Sequence, residues 1–366
     1  MTAHTIRLAL CLAMSVLGAA GVGPARAEVR LGARQERTAP ATEPSTAATA
    51  KKSGTRDADE VSRLRQQGEQ GNAMAQFELG FLYFSGNQVI QNFAEAVKWW
   101  QKAADQGIAQ AQLDLGVMYQ NGVGVARDEA QAVQWYRKAA EQGDERAQLS
   151  LGEAYKKGAG VQQDDAQAVQ WFRKAAEQGD ATAQYNLGEL YEDGIGVAQD
   201  AEQAVQWWRR AAEQGNAQAQ NALGKAYHDG EGVAQDYGEA VQWYRKAADQ
   251  GHPTAQSNLG FMYQNGQGVA RDLGRAIRWW QMAAEQDNTT SQFNLSVAYH
   301  NGQGVMRDDV ESYKWAQIAL AHSSGESHQK YANMLSALAG RMTPTQVADA
   351  QQRAREWLAV FDRRRK

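Results

Sequence analysis

Histidines, paired aspartates and glycine-bearing loops are the residues of this 366-residue chain with types suited to chemistry, and their spacing argues against it. Of six histidines, His228 and His300 share a repeat position but stand two repeats apart. At about 8–10 Å per helix layer their rings are about 20–40 Å apart. Zinc needs its ligands within about 2.1 Å of one ion. The chain has no His-Glu-x-x-His, no Walker lysine loop and no Gly-x-Ser-x-Gly. The run Gly122-Val123-Gly124-Val125-Ala126-Arg127-Asp128 joins two helices rather than a strand to a helix, so it does not fit a phosphate cradle. Asp164-Asp165 and Asp308-Asp309 sit where helix caps belong. Asn288-Thr289-Thr290 matches a glycosylation sequon, a short motif of low specificity. No set of residues meets the geometry of a catalytic site, and the expectation is a non-catalytic chain without metal or cofactor.

What the chain does have is a strict period of 36 residues. A Leu-Gly pair recurs from Leu79-Gly80 to Leu259-Gly260 and becomes Leu295-Ser296 in the seventh copy. A tyrosine follows each pair, from Tyr83 to Tyr299, and then a tryptophan, from Trp99 to Trp315. A fixed period of this length predicts an all-α solenoid of stacked helix-turn-helix units.

In one copy, residues 181–216, Asp180 is placed to cap a first helix whose face is Ala183, Leu187, Leu190 and Tyr191. Gly194 ends that helix, as glycine tolerates the left-handed conformation required there. Asp200 caps a second helix, and Gln203 stands at the spacing of a capping box. Ala204, Trp207, Trp208, Ala211 and Ala212 form its apolar face. Gly188 and Ala211 are small where backbones are expected to approach. The tryptophan column shares its face with alanines that pack, so it reads as core rather than as a ladder of sugar platforms.

The ends differ from the repeats. Residues 1–27 combine Arg7, an apolar run from Leu8 to Val22 and Ala25-Arg26-Ala27, the pattern of a cleaved secretory signal. The run is too short for a membrane span of about 20 residues. The single cysteine, Cys11, lies inside this leader, so the mature chain forms no disulfides. Residues 28–56 are polar and lack an apolar period, as a flexible linker does. Residues 57–72 resemble a lone second helix, an N-terminal cap. Seven repeats occupy 73–324, and 325–366 reads as C-terminal capping helices with Thr343-Pro344 opening the last. Without Arg7 and Arg26 the chain carries 36 basic against 42 acidic residues, a charge of −6. That balance excludes a groove-wide nucleic-acid site.

The pattern Ala-x-Ala-Gln-x-x-Leu-Gly-x-x-Tyr-x-x-Gly-x-Gly-Val-x-x-Asp-x-x-x-Ala-Val-x-Trp-Trp/Tyr-x-x-Ala-Ala-x-x-Gly resembles the Sel1-like repeat, a relative of the tetratricopeptide repeat. Departures are local: Gln88 and Asn92 in the first copy, and Asp287, Ser291 and Ser296 in the last two. The resemblance implies a right-handed α/α solenoid with helical caps that serves as a scaffold or adaptor. Bacterial envelope members include regulators of sensor kinases, polysaccharide-export components and factors that meet host cells. A cysteine-rich branch linked to β-lactams carries paired cysteines in each repeat, which this chain lacks, so that activity does not transfer.

By the same resemblance the concave surface comes from first-helix positions that vary between copies. One column runs Phe81, Val117, Glu153, Glu189, Lys225, Phe261, Val297; a second includes Phe84, Lys156, Glu192 and His228; a third includes Phe77 and Tyr185. Phe77, Phe81 and Phe84 form an apolar anchor if exposed, or a cluster under the N-terminal cap if not. Glu153, Glu189 and Lys225 alternate in sign and could set the register of an extended partner. The expected function is an exported, periplasmic scaffold or regulator that binds a protein in this groove without spanning the membrane. Binding of peptidoglycan or an exported polysaccharide is the alternative, with a hydrolase further behind.

Overall fold

The computed structural model describes residues 59–365, so residues 1–27, expected to be a secretory signal, the expected linker 28–56 and residues 57–58 of the expected N-terminal cap lie outside the described residues. Among those described there is no strand. Helix α1 covers residues 59–69. The fourteen repeat helices follow in pairs. They are α2 (Ala73–Ser85) with α3 (Phe93–Asp105), α4 (Ala109–Asn121) with α5 (Glu129–Glu141), and α6 (Glu145–Lys157) with α7 (Asp165–Gln178). Then come α8 (Ala181–Asp193) with α9 (Ala201–Glu213), and α10 (Ala217–Asp229) with α11 (Tyr237–Asp249). The last two pairs are α12 (Pro253–Asn265) with α13 (Leu273–Ala284), and α14 (Thr289–Asn301) with α15 (Asp309–Ala321). Helices α16 (Gly325–Ala339) and α17 (Pro344–Arg365) complete the chain. Each repeat helix packs on the one before and the one after, which makes an α/α solenoid.

The helix ends follow from local chemistry. Asp180 Oδ1 accepts from the Ala183 N–H at 2.7 Å, and Asp200 Oδ1 accepts from the Gln203 N–H at 3.0 Å. The second half of the expected capping box is absent at Asp200. Its own N–H donates instead to the Tyr191 carbonyl at 2.9 Å, tying the second helix to the end of the first. Among the described residues a full box forms at α17, where Thr343 and Gln346 exchange bonds of 2.9 and 3.3 Å. In each loop the second glycine of the Gly-x-Gly pair touches the preceding repeat. Gly196 has φ +68, and a Cβ there would stand 2.3 Å from the Asp165 carbonyl oxygen on α7. Gln88 holds the same place in the first copy and adopts φ 64 without being glycine.

The glycine of each Leu-Gly pair admits an aromatic ring, not a neighbouring backbone. A Cβ on Gly188 would lie 2.4 Å from Trp208 Nε1. The same holds for Gly80 with Trp100, Gly116 with Tyr136, Gly152 with Phe172, Gly224 with Tyr244 and Gly260 with Trp280. The seventh copy alters both partners: Ser296 holds the glycine's position and Ala316 that of the ring, and Ser296 Oγ meets Ser312 Oγ at 3.1 Å. The inner aromatic column is therefore the one after the fixed tryptophan. The fixed column lies nearer the surface, with a Lys or Arg over Trp99, Trp135, Trp171, Trp207, Trp243 and Trp315 at 3.7 to 4.5 Å.

A ladder of buried amides links the layers. Gln184 Nε2 donates to the Ala176 carbonyl at 3.1 Å, and Gln184 Oε1 accepts from Gln214 Nε2 at 2.8 Å. The unit recurs at Gln112 with Gln142, Gln148 with Gln178, Gln220 with Gln250 and Gln256 with Gln286. It stops at Gln292, whose Oε1 is buried without a partner because His322 stands where the donor glutamine would be. Replacing Gln184 with Leu removes both bonds from a buried site and is expected to cost about 1–3 kcal/mol. Urea unfolding followed by circular dichroism checks this; an unchanged midpoint refutes a stabilising role for the ladder.

The C-terminal cap closes the last layer. Leu338 of α16 and Ala350 of α17 join Tyr313 and Ala316 of α15 in one cluster, flanked by Val347 and Met334. Near the end of α17, Trp357 stacks on Phe361 with ring centroids 5.1 Å apart. The helix runs through Arg363, Arg364 and Arg365.

Candidate partner-binding face

Fixed spacing lines up the first helices α2, α4, α6, α8, α10, α12 and α14, and side chains join α4 to α6, α8 to α10 and α10 to α12. Arg146 donates to Gln110 Oε1 at 2.8 Å, Lys225 pairs with Glu192 at 3.1 Å, and Asn258 donates to Asn221 Oδ1 at 3.2 Å. Such contacts run from one first helix to the next, so the variable columns share one face.

That face is indented at repeats four and five. A recess of about 350 Å³ is lined by Tyr185, Glu189, Glu192, Trp208, Asn221 and Lys225, with His252 and Thr254 at the edge of repeat six. Four residues singled out from the sequence, Tyr185, Glu189, Glu192 and Lys225, thus come together. Burial pushes the Glu189 carboxyl up from the usual range, and Glu192 adds to this, against a hydrogen bond from Tyr185 and the charge of Lys156. Tyr185 is raised in turn by burial and by Glu189. The bond to Glu192 raises Lys225, which keeps it charged. His252 caps α12 by accepting from the Ala255 N–H at 3.2 Å, which requires a bare Nδ1; burial lowers its pKa and favours that neutral form.

The other expected residues are placed elsewhere. Glu153 pairs with Lys157 at 3.0 Å and borders a separate cavity of about 30 Å³ beside Tyr136. His228 contacts Asp229 at 2.6 Å and lies beside Tyr237 and Phe261, the latter 43% exposed. Phe77 and Phe81 are half-buried. Phe84 is not a partner anchor: it is buried, with its ring 5.5 Å from both Phe93 and Trp100. The second helix of its own repeat covers it. The other copies have polar side chains in that column, and only the first has a phenylalanine on α3 to enclose one.

Two residues gave no sequence signal. Trp208 read as core, yet it borders the recess. Asp114 occupies a column with Glu78, Ser150, Asn186 and Ala222, and it alone is a fully buried acid. Burial raises its pKa to about 7, against a 2.9 Å bond from Gln110 and the charge of Arg146. Its Oδ2 has no partner. Among the described residues no group of three or more His, Cys, Asp or Glu side chains could hold a metal ion.

Comparison with known proteins accords with this architecture. The Sel1 repeat model matches seven consecutive segments, 73–108, 109–144, 145–180, 181–216, 217–252, 253–288 and 289–324. The chain belongs to the Sel1 repeat family. A solved Sel1 repeat protein from Oxalobacter formigenes is 36% identical, with TM-score 0.62, over 77% of this chain and 81% of that one. A protective antigen of uropathogenic Escherichia coli is 28% identical, with TM-score 0.48, over 82% of this chain and 87% of that one. No curated protein matches this chain. The Sel1 repeat solenoid is commonly a protein-interaction scaffold, and here no described helix is long and apolar enough to cross a membrane.

Proposed function

We propose that this chain is an exported, periplasmic scaffold that binds a segment of a partner protein along its first-helix face and serves in the assembly or regulation of a bacterial envelope complex. One observation supports it above others. Seven copies keep their packing residues nearly alike, yet vary on one helical face, and on that face a polar recess opens at repeats four and five. Solenoids present extended surfaces of this kind to chain segments. The sequence of residues 1–27 supports export.

The test is affinity capture from solubilised envelope with protein purified from the periplasmic fraction as bait. Wild type is compared with a variant carrying Glu153→Lys and Glu189→Lys; Lys225 stays, because it holds Glu192. A partner protein held by the wild type and lost from the folded variant, with salt-sensitive binding, is the expected result. Equal capture by both rules out a charged binding face. Sugar-bearing material captured equally by both directs attention to a glycan and to exposed aromatics such as Phe261.

A further inference from the structure

The recess is incomplete in two complementary ways. The first concerns the indole of Trp208. In repeats one and six the matching indoles donate to a carbonyl on the preceding helix, Trp100 to Phe77 and Trp280 to Ser257, both at 3.2 Å. Trp208 is 3% exposed, and its Nε1–H is buried without any partner. A buried donor left unpaired costs about 1–3 kcal/mol, so an acceptor entering the recess gains from meeting it.

The second concerns charge. Glu189 and Glu192 both border the recess, and only Glu192 has a cation, Lys225, at 3.1 Å. Among the described residues Glu189 forms no ion pair. The remaining walls include Asn221, Thr254 and a neutral His252, and Lys156 acts on Glu189 without forming an ion pair with it, so the half-buried Glu189 carboxyl is left without a directly paired cation. An occupant that answers both features brings a cation and a hydrogen-bond acceptor.

We infer that the recess receives a lysine or arginine residue of an extended partner chain, its side-chain cation against Glu189 and a backbone carbonyl against the Trp208 indole N–H. This names the partner's chemistry and rests on the protein-binding reading above. A half-buried carboxylate binds a cation more strongly than an exposed one, because less water screens the pair. The carbonyl contact adds a preference for a peptide over a free amine.

The full chain labelled with 15N at the tryptophan indoles reports this directly, since the Trp208 signal is identified by its loss in Trp208→Phe. The probe is the acetylated, amidated peptide Ala-Ala-Lys-Ala-Ala, beside versions with norleucine or glutamate at the centre. The lysine peptide is expected to shift the Trp208 Nε1–H signal saturably, with at least tenfold weaker binding in Glu189→Gln and for the norleucine peptide. No shift with the lysine peptide, or equal shifts with norleucine or in Glu189→Gln, overturns the assignment. The titration needs no natural partner, so its failure is distinct from a failed envelope capture, which overturns the broader reading.

Discussion

Gly260→Ser should destabilise the wild-type chain by about 1–3 kcal/mol, yet cost much less in a chain already carrying Trp280→Ala. A Cβ on Gly260 would stand 2.5 Å from Trp280 Nε1 and 2.6 Å from Cδ1, well inside contact distance. The ring is fully packed and its N–H is bonded to Ser257, so it cannot retreat without losing that bond. Trp280→Ala alone should cost about 3–5 kcal/mol, through lost burial and the cavity it leaves. The added serine then occupies part of the cavity. The seventh repeat already contains this combination, with Ser296 at the glycine's position and Ala316 at the ring's, both buried. Urea unfolding of the two single variants and the double variant forms a mutant cycle with an expected favourable coupling of about 1–3 kcal/mol. Additive losses would refute the view that ring and glycine act as one unit.

Asp114→Asn is the second large effect, and its sign depends on pH. The Asp114 carboxyl titrates near 7 in the fold against a reference value of 3.8. Between about pH 4 and 7 the folded chain keeps a proton that the unfolded chain has released, so stability falls as pH rises, by about 1.4 kcal/mol per unit. Below that window both states are protonated and the contribution is fully present; above it the penalty is constant. Asparagine carries no charge and can still accept the bond from Gln110. The same column holds Asn186, Asn258 and Asn294, so the fold accommodates the residue. The variant should match the wild type near pH 4 and exceed it by about 2–4 kcal/mol at pH 8. Parallel pH dependence of the two unfolding midpoints would show that Asp114 is not the titrating group.

The sequence by itself determined the repeat, its length and its boundaries, since these rest on short-range physics. Asp180 and Asp200 cap the helices on which they stand, Gly194 takes the left-handed turn that its lack of a Cβ permits, and Leu187 with Ala211 marks the faces that must be buried. Each of those choices is decided within a few residues. The tertiary structure decided what each repeated position meets. Gly188 admits the ring of Trp208, Gln184 joins Gln214 thirty residues on, and Phe84 is enclosed by Phe93 and Trp100. Asp114 is buried where its column-mate Glu78 is exposed. Tyr185, Glu189, Glu192 and Lys225 were legible as variable residues of one face, but the recess that gathers them, and the unpaired indole beside it, were not. A solenoid repeats its backbone but not its neighbours, so a residue's burial, partners and charge depend on side chains one repeat away, which no period within the sequence encodes.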